Sequence, residues 1–260
     1  MTEADWLPLL LRVAAAASVV VLASLAAERV GPFFGGLIAT LPVSTGPAYV
    51  LLAIDHDDPF IADTALSSVA TNVTMISYLV ALVLLSPRLR LPASLGGALA
   101  LWIGGAVLLR LVPWTAASAV AANLAAYGMA WWLLRRGAPE PVTRRPVSRW
   151  YDVPLRAVLV GLLVVGVTTA SSLIGPTATG IGAIFPIALS SLAAIVHLRL
   201  GGAAVAATMR GAVLANPGFL LSVLTTHLLA EPAGRWWALA AGLAVSLAWS
   251  AGLLVWKARN

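Results

Sequence analysis

The sequence predicts an all-α integral membrane protein, with about nine transmembrane helices in an inverted 4+1+4 repeat. Three observations carry this reading. Apolar runs of roughly twenty residues recur from end to end, the length that crosses a bilayer core of ~30 Å. A stretch of the first half returns in the second half at a fixed offset. Arginine crowds one set of loops and the acids gather in the other. Composition agrees, since 10% charged residues is well below the roughly 25% of a soluble domain. A net charge of +6 would suggest nucleic acid in a soluble chain; here it belongs to the loops, and no nucleic-acid partner is expected.

The duplication is read residue by residue. Residues 30–42 are V-G-P-F-F-G-G-L-I-A-T-L-P and residues 174–186 are I-G-P-T-A-T-G-I-G-A-I-F-P, 144 residues apart. That offset puts Gly31 on Gly175, Pro32 on Pro176, Gly36 on Gly180 and Pro42 on Pro186. Carried on without a gap, it puts Ala62 on Ala206, Thr64 on Thr208 and Asn72 on Asn216; carried backward, it puts Arg12 on Arg156. Shared apolar composition alone does not keep that register.

The spans follow in order. The first covers residues 6–26; Glu3 and Asp5 precede it where a signal peptide would carry basic residues. The second, residues 31–54, is interrupted by Pro42, Gly46 and Pro47, and an acidic loop from Asp55 to Asp58 follows. The third, residues 60–86, sets Thr64, Ser67, Ser68, Thr71 and Asn72 along one helical stripe. A basic turn with Arg88 and Arg90 leads to the fourth span, residues 92–112, and the Pro113 corner to the fifth, residues 116–134. The long polar segment 135–152 links the halves with Arg135, Arg136, Arg144, Arg145 and Arg149. Spans six to nine are residues 154–173, 175–198, 203–229 and 236–256. The expected units are therefore residues 1–113, a linker helix and basic loop at 114–153, and an inverted second unit at 154–260.

The odd linker helix makes five crossings from the start of one unit to the start of the next, so the two face opposite ways. Arginine placement agrees. Arg29, Arg88, Arg90, the linker arginines, Arg199, Lys257 and Arg259 fall in one set of loops; the other holds Arg110 and Arg235, but also Glu3, Asp5, Asp55, Asp57, Asp58 and Glu231. The positive-inside rule makes the first set cytoplasmic, with the N-terminus outside and the C-terminus inside the cell membrane.

A two-fold axis in the membrane plane brings matched residues to one height only near the midplane, where Pro42, Pro186, Asn72 and Asn216 all fall. Inverted-repeat transporters hold solute there, between interrupted helices. The candidate substrate-binding residues are Thr40, Pro42, Ser44, Thr45, Thr71, Asn72, Pro186, Ser190, Ser191, Arg210 and Asn216. Arg210 reads either as a side chain reaching for the cytoplasmic face or as a counter-ion site. His197 and His227 read as interfacial anchors, and the glycines around 31–36 and 175–182 as close-packing positions. The chain has no cysteine, no His-Glu-x-x-His pair and no mid-depth carboxylate, so no cofactor, metal site or enzymatic activity is expected. The expected partners are the lipid bilayer and a small solute, with room for a homo-oligomer. The expected function is a secondary transporter or facilitator. The alternative is a non-transporting subunit that packs a partner through its glycine-rich faces.

Residues 180–197 (G-I-G-A-I-F-P-I-A-L-S-S-L-A-A-I-V-H) resemble the second helix of the small four-helix GlpM-like membrane proteins. Residues 89–109 (L-R-L-P-A-S-L-G-G-A-L-A-L-W-I-G-G-A-V-L-L) are similar to that family's fourth. The resemblance implies two fused four-helix units around a linker helix; it implies no substrate and no site residues.

Overall fold

A computed structural model describes residues 45–135 and 152–259, together with Ser18. Within these residues the protein is helical, with no strand. The helices are α1 (Thr45–Asp55), α2 (Asp58–Leu85), α3 (Leu91–Leu109), α4 (Ala116–Leu134), α5 (Asp152–Ala183), α6 (Ile187–Leu200), α7 (Gly202–Ala233) and α8 (Arg235–Arg259). Six helical stretches among the described residues are long and apolar enough to cross a membrane, as the sequence leads one to expect of a membrane protein. The first span, the start of the second and most of the 135–152 linker lie outside the described residues.

Local signals account for the helix starts. At α2, the Asp57 carboxylate accepts from the Phe60 N–H at 3.1 Å and Pro59 sits in the first turn, where its missing N–H costs nothing. At α4, Thr115 and Ser118 cap each other's backbone N–H groups. Second-half corners depend on glycine instead. Gly175, Gly201 and Gly234 have φ of 74°, 82° and 85°, a region closed to side chains with a Cβ. Gly175 folds α5 back on itself, so that Val167 of its first arm packs against Gly182 of its second. Gly175 is thus a corner rather than the close-packing position its sequence context suggests.

Helix α2 is the axle of the bundle. Its most apolar window is 78% buried, against 17–22% for α3, α4 and α8. It packs against α3, α4, α5 and, most extensively, α7. The chains of α2 and α7 run in opposite directions: Asp58 at the start of α2 meets Arg235 just past the end of α7, and Ser86 just past the end of α2 abuts Gly202 at the start of α7. Close approach is built from glycine. A Cβ at Gly202 would overlap the Ser86 carbonyl, and one at Gly180 would overlap the Thr64 carbonyl and the Ser67 side chain.

The long apolar stretch 157–200, 44 residues, would reach about 66 Å as one helix, some twice a bilayer core. It is broken twice, at Gly175 and between Ala183 and Ile187. At the second break Pro186 has φ −76° and ψ 43°, and the Ile187 N–H turns back to the Phe185 carbonyl at 2.7 Å, closing a γ-turn. The interruption expected at Pro186 is present; that at Pro42 lies outside the described residues.

The glycine corners generate a test. A Cβ at Gly201 meets nothing within 4 Å, so Gly201→Ala should cost stability through backbone strain alone, about 1–3 kcal/mol. Gly128 lies inside α4, also with nothing within 4 Å, so Gly128→Ala should stabilise by up to ~1 kcal/mol. Unfolding in detergent micelles checks both; equal effects would remove the backbone explanation.

Candidate functional site

Asparagine is a poor choice for a lipid-facing position, because an unmet amide costs several kcal/mol in hydrocarbon. The chain carries Asn72, Asn123 and Asn216 inside apolar helices. The structure brings all three together where α2, α4 and α7 cross. Asn72 and Asn216 exchange hydrogen bonds, Asn72 Nδ2 donating to Asn216 Oδ1 at 3.0 Å and Asn216 Nδ2 to Asn72 Oδ1 at 3.1 Å. Asn72 Nδ2 also donates to Asn123 Oδ1 at 2.9 Å. The Tyr127 hydroxyl donates to Asn216 Oδ1 at 2.7 Å. Asn123 Nδ2 secures the group to two backbones, donating to the Val69 and Ala119 carbonyls, each at 2.8 Å. The three asparagines are at most 3% exposed. The two matched asparagines therefore touch directly instead of facing each other across an open cavity.

Asn123 and Tyr127 are not among the residues singled out from the sequence. Both lie on the linker helix, which has no counterpart in the duplication, so no matched residue drew attention to them. Their signal was local: polar residues four apart share one face of a helix, here an otherwise apolar one.

A second polar cluster surrounds the Pro186 break. Ending α5 at Ala183 frees its last carbonyls: Ser68 Oγ donates to that of Gly180 at 2.9 Å and Thr45 Oγ1 to that of Ala183 at 3.4 Å, while Ser67 Oγ donates to the Thr177 carbonyl within the helix at 2.7 Å. Because Ser68 spends its only proton on Gly180, the Tyr49 hydroxyl, 2.8 Å away, must donate to Ser68. Tyr78 pairs with Ser190 at 2.8 Å. Trp102 of α3 stands edge-on to Phe185, ring centres 5.1 Å apart. The Thr64 hydroxyl is buried and has no hydrogen-bond partner among the described residues.

The remaining candidates are placed as follows. Thr40, Pro42 and Ser44 lie outside the described residues. Thr71 is buried on α2, its carbonyl accepting from Thr74 Oγ1. Ser191 Oγ donates within its own helix to the Ala188 carbonyl. Arg210 Nη1 donates to the Leu134 carbonyl at 3.0 Å, which sets a cation on the negative end of α4. His227 Nδ1 lies 2.9 Å from the Ala62 carbonyl, so it ties α7 to α2. Nδ1 of His197 is buried without a partner. On the Asp55 to Asp58 side, Arg235 bridges three elements: its Nη1 is 2.8 Å from Asp58 Oδ1, and its Nε donates to the Ala53 carbonyl at 2.7 Å. Among the described residues no cluster of His, Asp or Glu could hold a metal ion.

The mutual satisfaction of the amides predicts strong coupling. Asn72→Leu leaves the Asn216 and Asn123 amides short of partners in a dry site and should cost about 1–3 kcal/mol. Asn72→Leu with Asn216→Leu should cost less than the two single losses summed. Unfolding of the four-member cycle in micelles measures this. Losses that add to within about 0.5 kcal/mol would mean the pair is not coupled.

No protein-family model, curated protein or solved structure matches the chain.

Proposed function

We propose that the protein is a secondary transporter or facilitator for a small polar solute, built as an inverted 4+1+4 repeat of nine crossings. The direct pairing of Asn72 with Asn216 is the observation that carries the reading. The two lie 144 residues apart, the offset of the sequence duplication, and their two hydrogen bonds exchange under a two-fold axis between them. Helix starts support the same offset: α2 begins at Asp58 and α7 at Gly202, α3 at Leu91 and α8 at Arg235.

Chain direction supports the crossing count. Between α2 and α7 lie α3, α4 and the 157–200 stretch. If that stretch crossed once, α7 would run parallel to α2. The two run antiparallel, which supports two crossings of that stretch with a reversal at Gly175. With the two spans that begin before residue 45, the total is nine. Arginine placement then puts the N-terminus outside and the C-terminus in the cytoplasm of a cell-membrane protein.

On this reading the asparagine pair is a midplane closure. A solute with amide-like or hydroxyl groups exchanges its own hydrogen bonds for those between Asn72 and Asn216, so opening leaves no amide unmet. The interrupted segment between α5 and α6 supplies the adjoining wall, with Thr45, Ser190 and the orphaned Thr64 hydroxyl as contacts. Thr40, Pro42 and Ser44 would line the matching segment of the first unit. Arg210 serves the end of α4 rather than the solute. The two units move against each other about the α2–α7 contact. The accessory-subunit alternative is favoured by no specific contact.

Flux into liposomes containing the purified protein tests the proposal. Asn72→Leu and Asn216→Leu should each lower transport per folded molecule at least tenfold or change which solute passes. Wild-type flux in both would remove the asparagines from the path, and folded protein that moves no polar solute would favour the accessory subunit. Topology is tested separately in the cysteine-free chain. Asp57→Cys should react with an impermeant reagent on intact cells and Pro146→Cys should not; the reverse pattern overturns the orientation.

A further inference from the structure

Helices α3 and α4 follow each other in sequence yet hardly touch. Each packs along α2, and they splay from the corner at Val112 to Trp114. The wedge between them is a groove of about 360 Å³, floored by Ile76, Val80 and Leu84 of α2 and walled by Leu101 of α3 and by Met129 and Leu133 of α4. It follows α2 from Ile76 to Leu85, about 14 Å at the helical rise. Its only polar side chain, Ser77, is turned to its own helix, donating to the Val73 carbonyl. The groove offers a ligand no hydrogen bond inside and suits a flexible hydrocarbon chain.

The end of the groove is different. Arg88 curls back along α2, its Nη1 donating at 2.7 Å to the carbonyl of Leu84, a floor residue. Arg135, at the end of α4, turns away from the groove: its guanidinium lies 5.2 Å from the centre of the exposed Trp131 ring, on the face opposite the wall residues Met129 and Leu133. Arg90 begins α3. No acid occurs in the sequence between Asp63 and Glu140. A strongly apolar slot therefore ends at the Arg88 guanidinium on the arginine-rich side of the membrane, with no carboxylate on any of the three helices that form it to offset the charge, apart from Asp58 and Asp63 at the far end of α2.

We propose that this groove is a binding site for an anionic phospholipid, one acyl chain lying between α3 and α4 and the phosphate held by Arg88. The site is independent of whether the protein moves a solute. An acyl chain completes the packing that α3 and α4 do not give each other, and the phosphodiester gives the Arg88 guanidinium an anion at the level where lipid phosphates lie. A zwitterionic lipid fills the slot equally well but brings its own cation to the arginine.

Native mass spectrometry of the full chain, titrated with phosphatidylglycerol or phosphatidylcholine of identical acyl chains, tests this. The first phosphatidylglycerol should bind ahead of phosphatidylcholine, with a preference of roughly fivefold at low salt. Arg88→Gln should abolish the preference and leave phosphatidylcholine binding unchanged. Ala126→Phe, which fills the groove without altering charge, should weaken both lipids. Glycerol phosphate should not compete, since it lacks the chain. No preference in the unmodified protein, a preference that survives Arg88→Gln, or effective competition by glycerol phosphate would each overturn the proposal. The first and last measurements need no variant to fold.

Discussion

Two long apolar helices lying antiparallel in a bilayer gain little from water exclusion, because lipid tails are as apolar as their side chains. What holds α2 against α7 is close backbone approach and a set of polar groups with nowhere else to go. Gly202 allows the start of α7 to rest on the Ser86 carbonyl. At the middle, Asn72 and Asn216 satisfy each other, and Tyr127 and Asn123 draw α4 onto the same point. Displacing any of these helices strands an amide or a hydroxyl in a dry site. That penalty fixes the register of the central contact, and α3 and α5 pack on the helix it fixes.

The break at Pro186 obeys the same constraint. A proline inside a membrane helix frees backbone carbonyls, and free carbonyls are tolerated only where protein or water meets them. Here the Phe185 N–H meets the Gly182 carbonyl that Pro186 leaves, and Ser68 and Thr45 meet those of Gly180 and Ala183. Side-chain hydroxyls hold a helix end less rigidly than a backbone ladder, since a rotamer change releases them. If the chain moves solute as proposed, this is where the structure can yield at least cost: exchangeable hydroxyls at a helix break, beside the one buried hydroxyl on α2 with no partner, that of Thr64.

The two halves solve equivalent problems with different chemistry. Second-half corners at Gly201 and Gly234 use positive φ, whereas the positions that precede α2 and α3, Asp57 and Arg90, have ordinary negative φ. One end of the α2–α7 contact is held by Asp58 and Arg235, the other by the bare approach of Gly202 to Ser86. An ion pair can open and re-form in water, while an interlocked backbone contact cannot slide without a clash. The two faces of the molecule therefore differ in how readily they separate.

By itself the sequence determined that the protein is helical and built for a membrane, since twenty-residue apolar runs and scarce charge leave a chain no other stable choice. It also marked Pro186 as a helix break and Asn72 and Asn216 as special, because a missing N–H and a buried amide carry the same cost wherever the helix lies. It did not show that the two asparagines bond to each other, that Asn123 and Tyr127 complete the group, or that Arg210 serves the end of α4. Those are contacts between residues 51 to 144 positions apart, decided by how helices cross. Periodicity along one helix says which face is buried, and only the assembled bundle says what that face meets. The wedge between α3 and α4 is of the same kind, a space defined by two helices that fail to touch, and no residue in either announces it.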